Sequence, residues 1–122
     1  MYFDMDCSCK GKNLDRFVQT HILILLYKRP MYGLEIINSL EKQTMFIGNR
    51  PDQTGVYRYL KKMEENGHLT SEEVPTGEGT RMKRVYSITE VGKHCLRNWA
   101  VALGQYGIDI LGLVAEIENT LD

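Results

Sequence analysis

The feature that most restricts this chain is a succession. An amphipathic stretch, Thr54-Gly-Val-Tyr-Arg-Tyr-Leu-Lys-Lys-Met-Glu-Glu-Asn-Gly67, runs directly into two short strand-like segments joined by a glycine-rich loop. At about 100° per residue, Val56, Tyr59, Leu60 and Met63 share one face of a helix, while Thr54, Tyr57, Arg58 and Lys61 occupy the other face or its flank. The first group is expected to pack on the preceding helices. The second sets a short hydroxyl at the N-terminal end, then an aromatic with a polar tip, then two cations, a set suited to an element lying in the major groove of duplex DNA. A plain solvated face would show the same pattern, so the helix takes its meaning from its neighbours, a helix pair before it and a basic hairpin after it.

In the hairpin, Gly67 is placed to close the helix, residues 69–74 read as a strand with Thr70, Glu72 and Glu73 toward water, and a loop from Pro75 to Met82 follows. Lys83-Arg-Val-Tyr-Ser-Ile-Thr alternates polar and apolar residues and returns as the second strand, with Val85 and Ile88 turned inward. Arg81, Lys83 and Arg84 load the loop and return strand with positive charge. Gly77-Glu-Gly79 opens a strand and not a helix, so it is no nucleotide-phosphate loop.

Upstream, Leu14, Val18, Ile22 and Leu25 recur at helical spacing, and Phe17, His21 and Leu26 widen the stripe. Such a surplus points to a second packing partner, for example a helix of another subunit. His21 within it reads as a core histidine. Pro30 ends this helix, and Tyr32-Gly33 opens a second through Leu34, Ile36, Ile37 and Leu40. Residues 43–51 form a loop, after which Asp52 or Thr54 caps the third helix.

Downstream, Thr89 caps a fourth helix in which Leu96, Trp99, Leu103, Tyr106, Ile110, Leu113 and Ile117 follow at intervals alternating between three and four. This is a heptad seam, which calls for a partner helix. Gly104, Gly107 and Gly112 each weaken the helix by roughly 1 kcal/mol, which makes an isolated helix unstable and favours close contact. A homodimer joined through this arm is expected; the other solution is a helix folded back on its own domain. Trp99 and Tyr106 read as dimer core in preference to a ligand cage.

A length of 122 residues allows one domain and an appended arm. The expected division is a flexible tail over residues 1–12, a winged-helix domain over 13–90 and a dimerisation helix over 91–122. The fold class is mainly α with a small β-hairpin. Composition is that of a soluble globular protein, the dense apolar run from Ile22 to Leu26 is too short to span a bilayer, and the acidic N-terminus lacks a secretory pattern. No membrane partner is expected and a cytoplasmic location is. Cys7, Cys9 and Cys95 are odd in number, which argues against a disulfide framework; reduced thiols are favoured over a metal site, because Cys7 and Cys9 are too closely spaced for a usual zinc pair.

Net charge is −1, but the average hides a polarity. Between Lys28 and Lys62 seven basic residues face three acids, whereas from Ala100 onward there are four acids and no lysine or arginine. One surface is thereby suited to phosphate and another is kept off it. No catalytic constellation forms: His21, His68 and His94 are scattered, and the members of Glu64-Glu65 and Glu72-Glu73 point apart. No enzyme activity and no cofactor are expected. A winged helix that engages protein without touching DNA is the remaining alternative.

The combination Pro30-Met-Tyr-Gly33-Leu-Glu35-Ile36, Thr54-Gly-Val-Tyr57-Arg58-Tyr-Leu60, Glu64-Glu-Asn-Gly67-His-Leu69 and Arg81-Met-Lys-Arg84-Val-Tyr86-Ser-Ile-Thr89-Glu-Val-Gly92 resembles the PadR family of bacterial transcriptional regulators. The resemblance covers about residues 20 to 99. It implies a winged helix-turn-helix homodimer of the shorter subgroup, with one C-terminal helix, that represses transcription until a small-molecule effector releases it; the basic middle joined to the heptad arm adds the expectation of an inverted-repeat operator in double-stranded DNA. The resemblance also implies DNA contacts from Tyr32, Thr54, Tyr57 and Arg58, with Arg81, Lys83 and Arg84 gripping the flanking backbone. Lys61 joins that set from the helical pattern alone.

Overall fold

A computed structural model describes residues 17–43, 46 and 51–122. The expected tail over residues 1–12, with Cys7 and Cys9, lies outside the described residues, as does Leu14. The elements run α1 (Val18–Lys28), β1 (Met31–Tyr32), α2 (Gly33–Leu40), α3 (Gln53–Glu65), β2 (Leu69–Pro75), β3 (Met82–Ile88) and α4 (Glu90–Leu121). Pro30 stops α1 as expected: Arg29 before it is extended, at φ −170° and ψ 157°.

Directly after Pro30 the chain does something the sequence pattern does not announce. Met31 and Tyr32 form a two-residue strand paired antiparallel with β3, so the hairpin becomes a three-stranded sheet in the order β1-β3-β2. Tyr32 is opposite Val85 and Met31 opposite Tyr86. Two residues are too few to produce a readable alternation, which is why the strand is hidden in the sequence.

The core lies between α1, α2, α3 and the inner face of the sheet, with Ile22, Ile36, Ile37, Leu40 and Leu60 fully buried. The apolar surplus of α1 is met within the chain: this helix touches α2, α3, α4 and β3. The expectation of a partner-subunit helix against α1 is therefore not needed to explain its pattern; α1 is the central helix of the domain. The inward residue of β3 is Tyr86, with Ile88 half-buried on the same face, while Val85 faces the other way beside Tyr32. The expected inward Val85 is thus corrected by one residue, because the register that pairs Met31 with Tyr86 turns the tyrosine, not the valine, toward the core.

The turn between α3 and β2 fixes the start of α4. Gly67 has φ +82°, a left-handed conformation that closes the helix. Thr89 then donates its hydroxyl proton to the Gly67 carbonyl at 2.6 Å, accepts from the Gly92 N–H at 3.0 Å as the helix cap, and donates its own N–H to the His68 carbonyl. Gly92 is buried there, and a Cβ on it would collide with the His68 carbonyl oxygen.

The long helix α4 divides into two parts. Cys95, Leu96 and Trp99 pack against the domain core, so the first turns of α4 belong to the domain and not to a free arm. From Val101 onward almost every side chain is exposed. The apolar surface there is wider than the expected seam: Ile108 and Leu111 lie off it and are 65% and 70% exposed. By length and composition α4 also reaches the range of a membrane span, with a mean hydropathy of 1.4 over 18 residues. No continuous apolar run marks it in the sequence, because Gly104, Gln105, Gly107, Asp109 and Gly112 interrupt the apolar residues while the mean over the window stays high.

Candidate nucleic-acid interface

The third helix is set by its cap. The Gly55 N–H donates to the Asp52 carboxylate at 3.0 Å, so Asp52, not Thr54, supplies the capping oxygen, and Thr54 is left in the first turn with its side chain exposed. The helix then splits as its spacing predicts. Val56, Leu60 and Met63 are buried and Tyr59 is half-buried against the core, while Thr54, Tyr57, Arg58 and Lys61 are exposed. A recess of about 150 Å³ beside Arg58, walled by Val18, Pro51 and Tyr59 among others, lies at the start of this helix.

Tyr57 is positioned by a glycine. Its ring lies over Gly33, the first residue of α2, so closely that a Cβ there would come within 2.5 Å of Cε1 and 2.7 Å of the hydroxyl oxygen. The start of α2 is itself held by Glu35, whose carboxylate accepts from the Tyr32 N–H at 3.2 Å and pairs with Arg29 at 3.0 Å. Tyr32, Gly33 and Tyr57 thus form one contiguous surface where α2 and α3 meet.

Lys83 brings the wing onto this surface. Its ammonium group lies 4.0 Å from the centre of the Tyr32 ring, within cation–π range. Arg81 stands exposed near the hairpin tip. Arg84 is arranged differently: one guanidinium nitrogen donates to Ser71 Oγ at 3.0 Å and the other to Glu73 at 3.1 Å, and Ser71 donates in turn to Glu64 of α3 at 2.8 Å. Next to Ser71 in the sheet, Tyr86 has its phenol held above the usual range by burial, with Arg84 opposing and Glu64 and Tyr57 reinforcing the shift.

The expected site residues therefore fall into three sets. Tyr32, Tyr57 and Lys83 are brought together around Gly33, Thr54, Arg58 and Lys61 are exposed on the helix that carries Tyr57, and Arg81 is exposed near the hairpin tip, whereas Arg84 is taken up by Ser71 and Glu73. Leu103, Tyr106, Ile110, Leu113 and Ile117 lie far along α4, and Leu96 and Trp99 are spent partly on the chain's own core. Gly33 is the contributor the sequence reading passed over; its signal was there, as a glycine at the opening of a helix where an ordinary residue would serve better. Among the described residues no group of three His, Cys, Asp or Glu side chains gathers as a metal site would need.

Comparison with known proteins agrees with this architecture. A search of curated proteins returns no match. A Thermoplasma acidophilum protein, TA0346, described as a transcriptional regulator, is 33% identical, with a TM-score of 0.66 over 82% of this chain and 94% of the other. Bacillus subtilis PadR in complex with operator DNA is 28% identical, with a TM-score of 0.61 over 70% of this chain and 48% of that one. A transcriptional regulator from Clostridium thermocellum, 21% identical, shares the fold at a TM-score of 0.71 over 89% of this chain and 95% of the other. Residues 22–98 match the model of the PadR-like family of transcriptional regulators, and the chain belongs to that family.

Proposed function

We propose that this regulator is a homodimeric repressor that binds an inverted repeat in duplex DNA and leaves it when a small molecule binds. Its two α3 helices enter successive major grooves roughly 34 Å apart, as two-fold helix-turn-helix dimers do. The observation that carries this reading is the division of α3 into a buried apolar face and an exposed face of hydroxyl, aromatic and cations, with Lys83 of the wing alongside. Thr54 and Tyr57, with Tyr32 beside them, meet base edges and nearby phosphates, while Arg58, Lys61, Lys83 and Arg81 neutralise the backbone. The operator complex of the Bacillus subtilis relative supports the assignment by similarity.

The dimer reading rests on α4. Its distal half exposes Tyr106, Ile110, Leu113 and Ile117, with Leu103 half-buried before them. Pairing with a second copy removes this surface from water, with Leu96 and Trp99 extending the contact from the domain end. Release by an effector follows the family resemblance, and a DNA partner implies a cytoplasmic location.

Selection of a binding site from random duplexes tests the whole reading at once. A symmetric winner is expected, with affinity falling steeply as salt is added. Replacing both Arg58 and Lys61 by alanine should weaken that affinity and flatten its salt dependence while leaving the oligomeric state unchanged. Unaltered binding would remove α3 from the groove. The net charge of −1 favours a second reading, a protein-binding winged helix, for which duplex affinity with a salt slope would be absent.

A further inference from the structure

We infer that Arg84 is a positioning residue, not a phosphate contact: through Ser71 it ties the wing to the recognition helix and sets the angle at which the two meet DNA. The inference rests on the DNA-binding reading above and assigns the wing's three cations different tasks.

The argument begins with what surrounds the guanidinium. Glu64 lies in the last turns of α3, Ser71 and Glu73 on β2, and Arg84 on β3. Ser71 Oγ donates toward the Glu64 carboxylate, at 2.8 and 3.0 Å from its two oxygens, and accepts from Arg84 Nη1 at 3.0 Å. Arg84 Nη2 completes the chain on Glu73 at 3.1 Å. A serine hydroxyl has one proton to give, and here it is given to the helix while its lone pair is taken by the opposite strand. Three elements therefore share one hydroxyl.

Charge accounting points the same way. Two carboxylates and one guanidinium make this cluster net negative, so it offers no surplus attraction to phosphate. Register supports it too: Glu73 is directly opposite Arg84, and Ser71 opposite Tyr86, so the cluster lies on the face of the hairpin that carries buried Tyr86. Lys83, next in sequence, is on the other face over Tyr32. The two neighbours are turned apart by the pleat of the strand.

Salt dependence separates the two roles, because a lost phosphate contact lowers the slope of log K against log salt by about 0.9 and a lost internal hydrogen bond does not. The probe is the duplex selected by the wild-type dimer. Arg84→Ala and Ser71→Ala should each weaken binding roughly two- to tenfold, the range of one hydrogen bond, with the wild-type slope retained. Ser71→Thr, which keeps a hydroxyl on the strand, should restore the affinity, and Lys83→Ala should lower the slope as an internal control. A slope reduced by about one in Arg84→Ala, with Ser71→Ala binding as wild type does, would overturn the positioning role. Wild-type protein with no salt-dependent affinity for any duplex would instead remove the DNA-binding reading, and the positioning role with it.

Discussion

Adding one methyl group at Gly33 tests how the recognition surface is built. The Cβ of alanine there would lie 2.5 Å from Cε1, 2.7 Å from the hydroxyl oxygen and 2.9 Å from Cζ of Tyr57. Ordinary contact begins near 3.4 Å, so either the ring or the helix must move by about an ångström. The backbone of α2 is fixed by its buried isoleucines Ile36 and Ile37, whereas Tyr57 is 39% exposed, so the ring yields. Overpacking of this kind costs about 1–3 kcal/mol. Against it stands the preference of a helix for alanine over glycine, at most about 1 kcal/mol. The net expectation for Gly33→Ala is a destabilisation of about 1 kcal/mol, measured as a shift in the urea midpoint at constant slope.

The sign should reverse when the ring is absent. In a Tyr57→Ala background the collision is gone and only the helix preference remains, so Gly33→Ala should stabilise the protein by about 0.5–1 kcal/mol. The coupling between the two sites is then about 1.5–2 kcal/mol, within the range of residues in direct contact. Operator affinity supplies a second reading: Gly33→Ala should weaken it, because Tyr57 is displaced, and should have no further effect once Tyr57 is alanine. Equal effects of Gly33→Ala in both backgrounds would refute the packing argument and with it the claim that a glycine in α2 positions a side chain of α3.

Other perturbations have expected outcomes of their own. At Gly92 the obstacle is the His68 carbonyl oxygen, which is backbone and cannot swing aside, so Gly92→Ala should cost more than Gly33→Ala, about 2–4 kcal/mol by chemical denaturation; a cost under 1 kcal/mol would show that the joint between the turn and α4 is loose. Asp52→Ala should lower stability by about 1 kcal/mol through loss of the α3 cap, while Thr54→Ala should not, and equal costs would reassign the cap. Burial holds the His21 imidazole below its ordinary value of 6.5, with the Gln43 hydrogen bond opposing. The unfolded chain therefore takes up the proton first, so this contribution to stability is complete above about pH 6.5 and is lost as pH falls toward the folded value. The wild-type urea midpoint should drop between neutral and mildly acidic pH by more than that of His21→Leu, and parallel curves would contradict the assignment. Introducing a charge at Leu103 or Ile110 should yield monomers in sedimentation without unfolding the winged-helix domain.

The parts of the fold that were legible in the sequence are those with a long period. The two faces of α3 can be read from spacing alone, because thirteen residues are enough for buried Val56, Leu60 and Met63 to separate from exposed Thr54, Arg58 and Lys61. The cap at Thr89 and the left-handed Gly67 were equally readable, since each depends on the chemistry of one residue. What escaped depends on contacts between segments distant in sequence. The strand at Met31–Tyr32 exists because β3 offers it a partner, and the inward turn of Tyr86 follows from that pairing. Arg84 looks in sequence like its neighbour Lys83; only folding places Glu73 opposite it and the hydroxyl of Ser71 within reach.

The same distinction bears on α4, where the heptad spacing is legible in the sequence but the apolar surface beside it is not. A helix of 32 residues extends about 48 Å at 1.5 Å per residue, and only its first turns touch the domain. The remainder carries three glycines, each costing roughly 1 kcal/mol, and exposes Tyr106, Ile110, Leu113 and Ile117 along one side with Ile108 and Leu111 beyond it. Such a segment cannot draw enough stability from its own backbone to persist in water, because helices gain most of theirs from packing. In the proposed dimer the second copy would therefore have to cover more than a narrow seam. Two copies that met only along the heptad positions would leave Ile108 and Leu111 wet, so a dimer that accounts for this helix has to bring further apolar surface against its flank. That requirement is stricter than the heptad itself, and it makes the pairing of α4 a question of area as well as of register.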